Sequence, residues 1–119
     1  MARYEKLIIW QKAVELVKYI YKITESFPKN ELFGLTSQIR RAAISIPSNI
    51  AEGTGRISKK EFINFLHIAL GSLYEVKTQL FIAKELNFID SIKFANNKID
   101  ELEKMIVAMI KTKKDFNDK

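Results

Sequence analysis

Apolar residues recur at three- and four-residue intervals in four long segments of the chain, the spacing of one face of an α-helix. No alternating pattern competes with them. The first segment, about residues 7–26, carries Trp10, Val14 (with Ala13), Val17 and Tyr21. It stops at Phe27-Pro28, because proline disfavours helix in the residue before it. The second, about 32–52, carries Ile39, Ala43, Ile46 and Ile50 and is expected to close at Gly53. Pro47 inside it removes one backbone hydrogen bond and crowds the preceding turn, which predicts a kink near residues 43–46.

The third segment, about 58–86, opens with Ser58-Lys59-Lys60-Glu61, a capping box of serine followed three residues later by glutamate. Phe62, Phe65, Leu66, Ala69, Leu73, Val76 and Leu80 lie on one face, and Asn87 can end the helix. The fourth, about 90–114, has Asp90 as its expected cap and Ile92, Ala95, Ile99, Leu102, Ile106 and Met109 or Ile110 as its stripe. The residues from 111 onwards are expected to fray. Four such helices joined by short loops predict an all-α, antiparallel up-down-up-down four-helix bundle. Residues 1–119 form a single domain in this reading, with a core large enough to need no staples.

The second segment carries more than a core stripe. Arg41, Ser45 and Asn49 recur every four residues and stack in a polar row beside the apolar one. The third segment offers a matching row, Asn64, Ser72, Glu75 and Gln79. Buried charges persist when paired, so Arg41 (or Arg40) is expected to meet Glu75. Ser45 and Asn49 are then expected to bond to the third helix or across a subunit boundary. Gly71 costs about 1 kcal/mol against alanine inside a helix, which points to close approach by another helix.

Charge adds a direction to this picture. The chain has 20 Lys and Arg against 14 Asp and Glu, net +6. In the predicted bundle one end gathers Arg3, Lys6, Arg56, Lys59, Lys60, Lys111, Lys113, Lys114 and Lys119 against Glu5, Glu52, Glu61, Asp115 and Asp118, a net of +4. At the opposite end four lysines cancel four carboxylates. Such a face suits phosphate contacts with an RNA or DNA partner, whereas solvated lysines at frayed ends are the plain alternative. The absence of cysteine excludes disulfides and thiolate metal sites. No apolar run reaches the roughly 20 residues of a membrane span, and the charged start is unlike a signal peptide. A cytoplasmic protein is expected.

Catalytic chemistry finds little support. His67 is the only histidine, so no metal site can be assembled around it. Gly53-Thr54-Gly55 lacks the lysine ending and preceding strand of a phosphate loop. No nucleophile has a base at useful spacing; an enzyme would have to use Glu52 or Glu75 as an acid/base in a pocket that perturbs it. No catalytic residue, metal, cofactor or small-molecule substrate is expected.

The blocks QIRRA, SNIAEG and GSLYE, within FPKNELFGLTSQIRRAAISIPSNIAEGTGR and KKEFINFLHIALGSLYEVKTQL, together resemble the four-helix-bundle proteins encoded in intervening sequences of 23S rRNA genes. The likeness runs from LIIWQKAVELV into the fourth helix. It implies an all-α bundle assembling as a homopentamer. It also implies kinship with the accessory variability determinant proteins of diversity-generating retroelements, basic pentameric barrels that bind nucleic acid. The positions carrying the signature are Arg40, Arg41, Ser45, Asn49, Glu52, Gly53, Arg56, Gly71, Ser72 and Glu75, none with a catalytic role.

Two functions follow. One is a non-enzymatic, oligomeric RNA-binding protein whose Arg3, Lys6, Arg56, Lys59, Lys60, Lys111, Lys113 and Lys114 contact phosphates. The other is a protein-interaction scaffold, in which Arg40, Arg41, Ser45, Asn49 and Glu75 form an interface and the basic end is incidental.

Overall fold

Each of the four periodic segments is a helix in the computed structural model, which describes residues 3–117 and the side chains of 4–114. They are α1 (Ile8–Thr24), α2 (Leu35–Thr54), α3 (Lys59–Glu85) and α4 (Lys93–Asn117), with short 3-10 turns at Arg3–Lys6 and Lys29–Glu31. The described residues contain no strand. The molecule is an elongated four-helix body, 51 × 24 × 21 Å, in which α2 packs most extensively on α3.

The core is one continuous cluster drawn from all four helices. Ile39, Ala43, Ile46 and Ile50 of α2 are fully buried, as their spacing predicts, and face Leu66, Ala69, Leu73, Val76 and Leu80 of α3. On α4 the stripe runs Ala95, Ile99, Leu102, Ile106 and Ile110, with Met109 at its edge. On α1 the buried row is Ile9, Ala13, Leu16 and Ile20, one residue back from most of the predicted one. Both rows have helical spacing, so periodicity does not decide between them. Trp10 and Val17 flank the cluster, and Tyr21 is exposed.

Local chemistry sets the helix ends. Ser58 Oγ accepts the Glu61 backbone N–H at 3.1 Å, the expected cap of α3. Asn87 stops α3 with a φ of 63°. The N–H of Asn87 then reaches the carbonyl of Lys84 and that of Phe88 the carbonyl of Ala83, a Schellman closure made without glycine.

Four boundaries differ from expectation. Residues 29–31 form their own 3-10 turn, so α2 starts at Leu35, whose N–H is accepted by Glu31 Oε1 at 3.1 Å. Gly53 lies inside α2, which continues to Thr54. A Cβ there would lie 2.8 Å from Phe62 Cδ1 and 2.9 Å from Phe65 Cβ, so close packing of α2 on α3 requires this glycine rather than a helix stop. Asp90 does not cap α4; Ser91 Oγ accepts the Lys93 N–H at 3.2 Å. Pro47 is buried within an unbroken α2, and α4 runs to Asn117, past the predicted end.

Along the α3–α4 seam, Tyr74 Oη donates to Glu103 Oε2 at 2.6 Å and Lys77 Nζ to Asp100 Oδ1 at 2.9 Å. Positions rise along α3 as they fall along α4. That register carries the end of α4 back to the α2–α3 turn.

Candidate functional site

The turn between α2 and α3 lines a cleft of about 430 Å³. Leu7, ahead of α1, and Met109 and Lys113, from α4, complete it together with Thr54, Arg56, Ile57, Ser58, Lys59 and Phe62. Three of the predicted phosphate-contacting side chains, Arg56, Lys59 and Lys113, therefore line one concavity. Arg56 is held in place: its Nη2 donates to Glu52 Oε2 at 3.3 Å, and its guanidinium lies 4.8 Å from the centre of the Phe65 ring. Lys113 Nζ stands 5.7 Å from the centre of the Phe62 ring. Aromatic faces attract cations and orient them without neutralising their charge.

Lys6, Lys60, Lys111 and Lys114 are exposed. The side chains of Arg3 and Asp115, and the whole of Asp118 and Lys119, lie outside the described residues. Sequence reading missed the apolar lining. Ile57, between Arg56 and Ser58, is fully exposed at 104 %. The signal was available: it is a β-branched hydrophobe in a loop, outside every helical stripe.

The polar row of α2 divides. Arg40 turns to α1, where its Nε donates to Thr24 Oγ1 at 2.9 Å and its guanidinium sits 4.6 Å from the Tyr21 ring centre. Ser45 bonds to α3 as expected, its hydroxyl 2.8 Å from that of Ser72. Asn49 instead serves its own helix, donating to the Ser45 carbonyl and hydroxyl at 2.8 and 2.9 Å. The expected ion pair between Arg41 (or Arg40) and Glu75 does not form: Arg40 is committed to α1, and no ion pair among the described residues includes Arg41 or Glu75. Both line a groove between α2 and α3 with Phe33, Gln38, Ser45 and Ser72.

Gly71 borders the neighbouring stretch of that groove, together with Leu35, Gln79 and Ile82. A Cβ on it would meet nothing within 4 Å, so no helix of this chain needs the close approach that a glycine permits. Phe33 is 94 % exposed at the groove's edge, and Gln79 Oε1 is buried without a hydrogen-bond partner. The face is thus apolar, notched and charged, and Arg41, Glu75 and Gln79 Oε1 on it have no hydrogen-bond or ion-pair partner among the described residues.

His67 is exposed on α3. Among the described residues no three His, Cys, Asp or Glu side chains come close enough to hold a metal ion, and no helix is long and apolar enough to cross a membrane.

This architecture has a close counterpart among solved structures. A protein of unknown function from the S23 ribosomal protein family of Bacteroides thetaiotaomicron VPI-5482 superposes with a TM-score of 0.77 at 28 % identity, over 87 % of this chain and 99 % of that one. No curated protein matches the chain. The profile of the family described as 23S rRNA-intervening sequence protein matches residues 5–108, from the turn before α1 well into α4, and the chain belongs to that family.

Proposed function

We propose that this chain is a non-enzymatic, oligomeric nucleic-acid-binding protein of the cytoplasm, whose basic end contacts the phosphates of structured RNA. The observation that carries the reading is the convergence of Arg56, Lys59 and Lys113 on one cleft, with Lys60, Lys111 and Lys114 exposed on the same chain segments. A charge on an aromatic face keeps its field while losing conformational freedom, which suits a phosphate contact better than a freely moving lysine does. The test is a fluorescence titration of a labelled RNA hairpin carrying a single-stranded tail, at rising salt. Binding that weakens linearly on a log–log salt plot supports the proposal. No binding at low salt overturns it.

A second reading draws on the α2–α3 groove. There Gly71 opens onto space, Phe33 is exposed, and Arg41 and Glu75 have no ion-pair partner among the described residues. We assign this face to subunit assembly, so it complements RNA binding at the end; the family resemblance implies a pentamer. If instead the groove takes a different protein, the chain is an interaction scaffold. Light scattering separates the two: a multiple of the 13.8 kDa chain mass supports assembly, and a monomer mass removes it.

A further inference from the structure

Building on the nucleic-acid reading, we infer that the end cleft receives one unpaired nucleotide, its phosphate among Arg56, Lys59 and Lys113 and its base against Ile57 and Phe62. A purely electrostatic face needs cations alone. This one is a concavity of about 430 Å³, within the roughly 300–1,000 Å³ typical of small-ligand clefts. Its lining joins three cations to four apolar side chains, Leu7, Ile57, Phe62 and Met109.

A duplex makes poor use of that apolar lining, because its base faces are stacked inside and its grooves offer polar base edges, sugar and phosphate. An unpaired base can, since every base has a flat face that packs on aromatic and aliphatic side chains. Ile57 strengthens the case. It lines the cleft and is fully exposed at 104 %, so its side chain is open to a bound base.

The cleft's hydroxyls indicate weak base selectivity. Thr54 Oγ1 donates to the Ala51 carbonyl at 2.7 Å, and Ser58 Oγ accepts the Glu61 N–H at 3.1 Å. Both have part of their bonding capacity committed at helix ends, which limits what remains to read a base edge. The site is therefore one for single-stranded RNA of tolerant sequence.

The experiment compares three labelled probes at one low salt concentration by fluorescence anisotropy with the full chain. They are a single-stranded RNA, its blunt duplex, and the same single strand with abasic spacers. The expected result is single strand bound about tenfold more tightly than duplex or abasic strand, a preference in the range that base stacking supplies. This ordering runs against charge density, which favours the duplex. Ile57→Ser, a change at a fully exposed position, is expected to erase the preference and leave duplex binding unaltered. Equal binding of intact and abasic strands, or an Ile57→Ser loss shared by the duplex, overturns the nucleotide site while phosphate binding stands. Absence of binding to all three probes overturns both.

Discussion

At the scale of the residue, two glycines in helix interiors have opposite meanings. A methyl group on Gly53 would press on the Phe62 ring and the Phe65 Cβ at under 3 Å, and one of those contacts is rigidly attached to α3. Helix propensity alone favours alanine by about 1 kcal/mol, but overpacking costs about 1–3 kcal/mol. Gly53→Ala is expected to destabilise by about 1 kcal/mol, seen as a lower urea midpoint at unchanged slope. Gly71→Ala meets nothing within 4 Å, so the propensity gain stands alone. It should stabilise the isolated subunit by about 0.5–1 kcal/mol in the same measurement. The pair tests whether a glycine serves packing within the chain or an approach from outside it.

At the scale of the element, helix ends and seams carry the local energetics. Removing the cap in Ser58→Ala strands the Glu61 N–H and is expected to cost about 1 kcal/mol. The α3–α4 and α1–α4 seams give a pH dependence with a definite sign. The Glu103 carboxylate, by accepting the Tyr74 hydroxyl, raises the phenol above its ordinary 10.0; the hydrogen bond to Glu101 raises Lys12 above 10.5. A group whose folded pKa is raised lends stability below its unfolded pKa and loses it as pH rises through the folded one. Stability should therefore fall above about pH 10, by a small amount because both groups are exposed to solvent. Tyr74→Phe should blunt the tyrosine part of that fall in thermal melts across the alkaline range.

Elements were also the most legible level in the sequence. The four helices, the Ser58 cap, the Asn87 stop and the stripes of α2, α3 and α4 follow from spacing and residue chemistry. The phase of α1 did not, since Ile9 and Trp10 begin equally periodic rows and only tertiary contact selects between them. Gly53 misled for a related reason: glycine ends helices and also admits neighbours, and the second role depends on where Phe62 and Phe65 fall in space. The basic cluster was legible as charge. Its cleft was not, because Leu7, Phe62 and Met109 are 47 residues apart or more along the chain and meet only in the fold.

At the scale of the whole molecule, the end cleft and the α2–α3 groove use different residues and can be perturbed separately. Lys59→Glu with Lys60→Glu should reduce the slope of log affinity against log salt by about 1–2 if both lysines face phosphate, without changing the mass in solution. The groove makes the complementary prediction. Arg41 and Glu75 line one face without an ion-pair partner among the described residues, and identical subunits bring both charges to every contact. If Arg41 of one copy meets Glu75 of the next, Arg41→Glu places two carboxylates in opposition and should lower the assembled fraction in light scattering. Glu75→Arg should do the same with two guanidinium groups. The double swap restores opposite charges at each contact, so it should recover assembly that either single change loses. Failure of the double swap to recover it would mean that the two charges do not meet across the interface, and that the groove binds its neighbour through Phe33 and the Gly71 notch instead.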